Sequence, residues 1–290
     1  MNWKLYRVVF RVRAPLHIGC GKIGNLQRTR HYVTGRAFWG ALTMRLTRDA
    51  FEGQGPAIDS RVYREFANEI HRSLSYTYFY PTLLIGSTYS VVWPWIDQHR
   101  FIGRFLGCAS RSTIARHEPH RYDAGEVLHE VEYIASRTSD SGEPVYLSGY
   151  VFERDDCSLA WKSACNRLQF GGERGYGWGD VECIEIREHS SADLFDSSIR
   201  FNVAGEIPVI SLVCNEQSHA YLPAHAPATL THVSGKVEPF VGREWRSDSN
   251  THRYSGQHVE FNGMYFVPGA VVRQTLNLVI GEYGLLHTKV

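Results

Sequence analysis

Lysine and net charge are scarce in this sequence. Five of its 31 basic residues are lysine, which leaves 26 arginines, and 30 acidic residues nearly balance them. This balance excludes an electrostatic grip on nucleic acid by the whole molecule, so any such site would be a local patch. The excess of arginine favours bidentate phosphate contacts and stacking on bases, although a GC-rich genome would produce the same bias.

Cysteine pairs and long apolar runs are also missing. The six cysteines form no CxxC pair and no finger-like spacing, which argues against a zinc site. The first residues lack the apolar segment of a signal peptide, and no run approaches membrane-spanning length. We therefore expect a cytoplasmic protein with reduced thiols that uses no metal or cofactor and contacts no membrane.

Glycine, in contrast, is concentrated in one stretch. Residues 171–179 read GGERGYGWG and contain five glycines, which let another backbone approach closely. Arg174 could bind a phosphate, and Tyr176 and Trp178 could stack on single-stranded bases. A tight turn between a helix and a strand, with both rings in the core, would explain the same residues. The stretch alone does not decide between these interpretations.

A second glycine-punctuated loop covers residues 16–31 and contains no acidic residue. Its basic side chains are Lys22, Arg28 and Arg30. They predict a local basic patch, unless the loop is simply solvated. A helix is predicted directly after it, with Thr34 as N-cap and Arg36 in the first turn. Because a helix N-terminus attracts anions, this junction is a candidate phosphate site.

The order of the predicted elements indicates an α+β fold. Hydrophobic periodicity predicts strands at 3–13, 127–134, 144–152 and 181–186 and helices at 35–46, 57–72 and from Asp155 or Asp156 to Leu168. This order fits an RRM-like or ferredoxin-like β-α-β-β-α-β domain with insertions. One face of such a sheet carries no helices and is a common place for RNA to lie.

We expect two domains. Residues 1–190 would form the ferredoxin-like domain, with a thumb-like insertion at about 95–140 that is irregular and basic over 100–125. A polar linker at 189–198 would lead to a second, β-rich domain at 199–290, a degenerate RRM-like unit.

Three stretches resemble one protein family. They are residues 15–21 (PLHIGCG) with 32–42 (YVTGRAFWGAL), 111–116 (RSTIAR) with 124–132 (AGEVLHEVE), and the glycine loop at 171–179. In this order they are similar to the motifs of the RAMP proteins of CRISPR–Cas effector complexes, which use RRM-like ferredoxin folds. The resemblance covers about residues 6–186.

Within this family the glycine loop and the β-rich region after it resemble the Cas5 group of type III complexes. The resemblance implies a non-catalytic subunit that holds the 5′ repeat-derived tag of the crRNA and caps a filament of Cas7 subunits in antiviral defence. A large or nuclease subunit and target RNA would be further partners. The RNA-binding residues that we expect are Lys22, Arg28, Arg30, His31, Arg36, Arg111, Arg116, Arg121, Gly171, Gly172, Arg174, Gly175, Tyr176 and Trp178.

Other roles within the family stay open. Type III Cas7 proteins that cut target RNA carry an aspartate in the loop that corresponds to residues 19–31, and this loop has none. A Cas7-type backbone subunit without cleavage is one alternative. Another is a Cas6-like nuclease, or a Cas5 that processes its own crRNA, with His17 or His31 as catalytic groups. A purely structural bridge would bind no RNA itself.

Overall fold

The computed structural model describes residues 2–51, 59–113, 127–195, 199–214, 219–247 and 256–288. It confirms the α+β class, with helices confined to the first half of the chain. The helices are α1 (Gly35–Ala50), α2 (Ser60–Ser73), α3 (Gln98–Phe105) and α4 (Trp161–Cys165). The strands of this half are β1 (Trp3–Val12), β2 (Gly19–Ile23), β3 (Leu26–Thr29), β4 (Leu74–Tyr76), β5 (Tyr80–Ile85), β6 (Thr88–Val91), β7 (Leu106–Thr113), β8 (Val127–Ile134), β9 (Tyr146–Arg154) and β10 (Val181–Glu188).

The central sheet has the strand order β10-β1-β9-β5-β6, and all of these pairs are antiparallel. Together with α1 and α4, the strands β1, β5, β9 and β10 follow the β-α-β-β-α-β plan. In that plan they are strands one to four, and their spatial order of four-one-three-two is that of a ferredoxin-like sheet. The sequence-based prediction of this unit is therefore confirmed.

Helix α1 forms where its sequence predicts. The side-chain oxygen of Thr34 accepts a hydrogen bond from the backbone N–H of Ala37 at 3.2 Å, which caps the first turn. Phe38, Leu42 and Leu46 recur every fourth residue and are all buried against the central sheet. The helix covers one face of the sheet with this stripe.

Helix α4 is much shorter than expected. The predicted helix would begin with Asp155 or Asp156 as its cap, but the helical residues are only Trp161–Cys165. The carboxylate of Asp156 instead accepts two hydrogen bonds from the guanidinium of Arg154, at 2.7 and 3.0 Å. Because this carboxylate is used by a neighbouring strand residue, it does not cap a helix.

The insertion after β6 is more regular than its sequence indicates. Residues 98–113, expected to be irregular, form α3 and β7. A separate four-stranded sheet joins them to the loop at 19–31, in the order β2-β3-β8-β7. In it β3 runs parallel to β8, and β8 is antiparallel to β7. The basic loop is thus a β-hairpin, β2–β3, anchored to the insertion.

The second half of the chain is built from short strands. They are β11 (Asp193–Leu194), β12 (Ile199–Asn202), β13 (Val209–Leu212), β14 (Ala220–Tyr221), β15 (Ala226–Pro227), β16 (Val233–Ser234), β17 (Val237–Glu244), β18 (His258–Phe266), β19 (Val271–Val272), β20 (Leu276–Ile280) and β21 (Leu286–Thr288). Three sheets result, β11-β12-β13-β20-β21, β14-β19-β16 and β15-β18-β17. The predicted β-rich character is confirmed, and the described part of this half contains one 3₁₀ turn, at 282–284, as its only helical segment.

A shared core joins the two halves. On the helix-free face of the central sheet, Leu5 and Phe152 pack in one cluster with Ile210, Leu212 and Leu278 of the second half. Each such side chain stabilises the fold by about 1.5–3 kcal/mol when fully buried. The expectation that this face is open to RNA is therefore wrong where the second half covers it, because apolar side chains of both halves exclude solvent there.

No helix within the ranges that the structure describes is long and apolar enough to span a bilayer.

Candidate nucleic-acid interface

A groove of about 560 Å³ runs between the β2–β3 hairpin and the second half of the chain, and we call it the hairpin groove. It brings together Lys22, Arg28 and His31, which the sequence singles out as RNA-binding residues. The facing wall supplies Lys236, and Trp95 lies between the two walls. Long-range folding thus gathers cations from two distant segments at one concave surface.

The hairpin presents its cations in different ways. Lys22 is exposed, with no ion pair among the described residues. Arg28 is partly exposed, and its Nε lies 3.3 Å from Oε2 of Glu132. The same carboxylate oxygen accepts the backbone N–H of Thr29 at 2.9 Å. Glu132 therefore fixes the hairpin on β8 and orients Arg28, while leaving part of its guanidinium accessible.

His31 offers a neutral ring to the groove. Its imidazole stacks on Phe101 with 5.4 Å between ring centroids. Burial lowers the pKa of His31, and the carboxylate of Glu132 opposes this only in part. At neutral pH the ring can donate or accept a hydrogen bond, but it does not add positive charge.

Two groove residues were missed by the sequence-based prediction. Lys236 is exposed and precedes β17, and its backbone carbonyl accepts a hydrogen bond from Val267 at 3.0 Å. Trp95 stacks on Trp93 with 4.9 Å between centroids. The Gly-Lys pair at 235–236 was the available signal for Lys236, but its partners lie about two hundred residues away in sequence.

Arg30 corrects the prediction of a phosphate contact. Its side chain is only 17% exposed, and its guanidinium pairs with the carboxylate of Glu238 at 2.5 Å. The same carboxylate accepts Nε2–H of His225 at 2.9 Å, and Nδ1 of His225 accepts the hydroxyl of Tyr78 at 2.7 Å. Arg30 therefore forms the floor of the groove and ties the halves together, because its charge is already neutralised.

The network around Glu238 is strongly polarised. Burial alone would raise the pKa of Glu238, but the hydrogen bond from His225 and the charge of Arg30 lower it to about 2. Burial lowers the pKa of His225, which is fully enclosed. A neutral histidine thus donates to an ionised carboxylate at neutral pH.

Arg36 also corrects the prediction. Its Nη2 lies 2.7 Å from Oε1 of Glu244, and its guanidinium lies 4.5 Å from the ring centroid of Tyr283. At Gly35 an added Cβ would overlap the carbonyl of Tyr283, so the start of α1 is covered. The expected phosphate site at this helix N-terminus is therefore filled by the second half of the chain.

The glycine loop is braced against the segment before β2. Gly171 has φ of +76°, and an added Cβ would overlap the carbonyl oxygen of His17. The N–H of Gly172 donates to the same oxygen at 2.9 Å, and Gly179 donates to the carbonyl of Pro15 at 2.8 Å. These contacts explain why glycine is needed at the ends of the loop.

The two aromatic residues of the loop differ. Trp178 is 4% exposed and packs edge-on against Tyr133 with 5.1 Å between centroids. This burial corrects the prediction that Trp178 stacks on a base, because its ring belongs to the core. Tyr176 is 56% exposed, so its ring is accessible from solvent. Gly175 is also exposed, and a Cβ added there would meet no atom within 4 Å.

Arg174 lies on the surface of the loop beside a residue that the sequence-based prediction missed. Its Nε donates to the carbonyl of Gly171 at 2.8 Å, and Nη1 lies 3.3 Å from the sulfur of Met44. Partial burial and the nearby guanidinium of Arg48 lower the pKa of Arg174. Neither arginine has an ion pair among the described residues, so the two form an unneutralised cationic pair.

His17 connects the loop to the hairpin groove. It is 6% exposed, and its Nδ1–H donates to the backbone carbonyl of Glu132 at 2.7 Å. Its own carbonyl anchors Gly172, while the side chain of Glu132 orients Arg28. The cationic loop and the cationic groove are therefore held in a fixed relation through one buried histidine.

The remaining predicted residues cannot be placed. Arg116 and Arg121 lie outside the described residues, as does the side chain of Arg111, whose backbone belongs to β7. Within the described ranges, no group of three or more His, Cys, Asp or Glu side chains is arranged to hold a metal ion.

Comparison with known proteins gives a distant likeness of fold. No family model matches the chain, and no curated protein matches it. Two chains from electron cryo-microscopy structures of the Type III-B Cmr-beta complex bound to cognate target RNA are similar, each at 13% identity. One match covers 64% of this chain and 61% of the other, with a TM-score of 0.41. The second, from a complex that also holds AMPPnP, covers 92% and 85%, with a TM-score of 0.45. Likenesses of this size do not establish a family.

Proposed function

We propose that this chain is a non-catalytic RNA-binding subunit of a type III CRISPR–Cas effector complex, of the Cas5 group. It holds the 5′ repeat-derived tag of the crRNA and caps the Cas7 backbone. The observation that carries this proposal is the hairpin groove, where Lys22, Arg28 and Lys236 face one another across a concave surface. The three family-like motifs and the four-one-three-two sheet support the same interpretation.

The groove suits a single strand better than a duplex. Its cations come from two walls, and Trp95 and His31 add ring surfaces between them. Backbone phosphates would pair with the cations, while rings of this kind contact unpaired bases. Glu132 and Glu238 are the carboxylates nearest to the groove, and each is already engaged by an arginine.

The glycine loop would provide a second contact with the same RNA. Arg174 and Arg48 offer two unneutralised guanidiniums to a phosphate, and Tyr176 exposes its ring on the same loop. Because His17 fixes the loop relative to the hairpin, both contacts would be preorganised before the tag binds.

An endoribonuclease is the second candidate, because His31 lines the groove beside Lys22. General acid–base cleavage needs groups that reach the reacting atoms. His17 is buried and donates to a backbone carbonyl, and His31 is stacked on Phe101, which favours a binding role for both. Metal-independent cleavage of repeat RNA that His31→Ala abolishes would favour the nuclease instead.

The proposal is tested by co-expressing the operon, purifying the assembly through this subunit, and sequencing the RNA that it retains. We expect crRNAs with a uniform 5′ tag, crosslinked to peptides of the β2–β3 hairpin. Lys22→Ala combined with Arg28→Ala should reduce tag binding at least tenfold, since each lost phosphate contact weakens binding. Arg72→Ala, an exposed arginine of α2 paired with Glu69, is the matched control. Recovery of no RNA, or a tag crosslinked only to other subunits, would refute the proposal.

A further inference from the structure

The helix-free face of the central sheet is only partly covered. Trp3 and Leu5 at the start of β1 lie under the second half of the chain. Side chains alternate along a strand, so Arg7 and Arg11 point to the same face as Leu5. They lie beyond the shared core and remain partly exposed.

Two tyrosines lie on the same uncovered part. Tyr146 of β9 is paired with Arg11, and it alternates with Tyr150, which belongs to the shared core. Tyr89 of β6 lies across from Leu84, two residues along β5 from Thr82, the partner of Tyr146. We call Arg7, Arg11, Tyr89 and Tyr146 the open sheet end.

These side chains are held in place by contacts with one another. The rings of Tyr89 and Tyr146 meet edge-on with 5.1 Å between centroids. The guanidinium of Arg7 lies 5.6 Å from the centroid of Tyr89 and donates to its backbone carbonyl at 2.6 Å. It also donates to the hydroxyl of Ser148 at 3.3 Å. Both tyrosine rings are partly exposed, so the surface is rigid and accessible.

A polar cavity of about 450 Å³ adjoins the open sheet end. Arg11, Arg13 and Arg137 contribute guanidiniums to it, and Glu182 is the carboxylate in its lining. Arg13 lies 3.3 Å from Asp180, whereas Arg11 has no ion pair among the described residues. The cavity therefore keeps an excess of positive charge.

The wider face shows the same imbalance. The arginines at 7, 11, 13, 137 and 187 face the carboxylates at 180, 182 and 185, so two guanidiniums are left without compensation. Asp180 directly follows the glycine loop, so the cavity and the loop form one continuous surface.

We propose that the open sheet end and its cavity bind a short stretch of single-stranded RNA without regard to sequence. Tyr89 and Tyr146 contact bases, and Arg11 and Arg137 contact phosphates. Aromatic rings beside surplus guanidiniums suit a single strand, since every base has a face that can stack and every nucleotide carries a phosphate. The proposal goes beyond the hairpin groove, because it needs no tag and uses a different face of the molecule.

The test uses the full chain and a fluorescent twelve-nucleotide oligouridine, which contains no repeat sequence. Affinity is measured by anisotropy over a range of salt concentrations. Tyr146→Ala should weaken binding about tenfold, as expected for one lost base-stacking contact, and Tyr146→Phe should bind like wild type. Arg11→Ala should weaken binding severalfold and flatten the salt dependence by about 0.7 in logarithmic slope, and Arg11→Lys should keep that slope.

Arg72→Ala on the opposite face is the control and should change neither quantity. Ultraviolet crosslinking of the wild-type chain adds a readout that does not depend on a variant folding. Uridine attached to peptides with Tyr89 or Tyr146 supports the proposal. Equal binding by Tyr146→Ala and Arg11→Ala, crosslinks confined to other peptides, or protection of this face by a protein subunit alone would overturn it.

The two RNA sites can fail independently. Lys22→Ala with Arg28→Ala should leave oligouridine binding unchanged while it weakens binding of the tagged crRNA. Tag binding that ignores the hairpin would refute the proposed function and leave the open sheet end standing. Oligouridine binding that depends on the hairpin and ignores Tyr146 would do the reverse.

Discussion

The glycine loop at 171–179 and the hairpin at 19–29 both contain several glycines, yet they use them differently. At Gly171 a Cβ would overlap the carbonyl of His17, so glycine allows two backbones to touch. At Gly24, which has φ of +57° in the hairpin turn, no atom lies within 4 Å of the corresponding position. Glycine therefore anchors the loop to the fold, whereas in the hairpin it only turns the chain and leaves the cations projecting.

The largest expected effect tests this anchoring. Gly171→Ala should lower the free energy of unfolding by about 3 kcal/mol, because a Cβ is strained at this φ and collides with His17. Gly175→Ala is the matched control within the loop, since its Cβ would meet nothing within 4 Å. Urea denaturation of both variants measures the difference. Equal stability of the two variants would show that the loop is not braced by its glycines.

The contrast between loop and hairpin also shows how far the sequence predicts this structure. Local signals were sufficient for α1, where Thr34 caps the helix and a regular stripe follows. They failed for α4, because Arg154 occupies the carboxylate of Asp156. Tyr176 and Trp178 are two residues apart in an irregular loop, so no periodicity could show that only Trp178 is buried.

Long-range contacts account for the other differences. The cover over the central sheet depends on Leu5 meeting Ile210, and no pattern within either segment reveals that contact. Arg30 and Arg28 look alike in sequence, but Glu238 reaches only Arg30 from the second half. The basic hairpin was therefore predicted as a whole, whereas the roles of its individual arginines needed the fold.

The second prediction concerns Arg30, the hairpin cation that differs from its neighbours. Arg30→Ala should lower the free energy of unfolding by about 2 kcal/mol, because it leaves the carboxylate of Glu238 buried with only His225 as partner. Arg72→Ala should cost less than about 1 kcal/mol, since its ion pair is exposed. A double-mutant cycle with Glu238→Gln isolates the pair. Additive losses would mean that Arg30 and Glu238 do not interact.

A pH dependence follows from the same carboxylate. The folded-state pKa of Glu238 is about 2, below its ordinary value of 4.5. Stability from the ionised group is therefore fully present above pH 4.5 and is lost as the pH falls from 4.5 through 2. The stability difference between wild type and Glu238→Gln, measured by denaturation from about pH 2 to about pH 7, should be constant above that window and shrink within it. In Arg30→Ala the window should move to higher pH, and an unmoved window would contradict the role of Arg30.

The smallest expected change in stability belongs to Arg174, the exposed cation of the anchored loop. Arg174→Ala should weaken binding of the tagged crRNA about tenfold, comparable to one lost charge-assisted contact, because it removes half of the cationic pair with Arg48. Unfolding free energy should change by less than about 1 kcal/mol, since only the hydrogen bond to the Gly171 carbonyl is lost. Arg48→Ala should show the same separation of affinity from stability. If Arg174→Ala instead unfolds the loop as Gly171→Ala does, the arginine is part of the anchor, and the distinction between an anchoring backbone and a binding side chain fails.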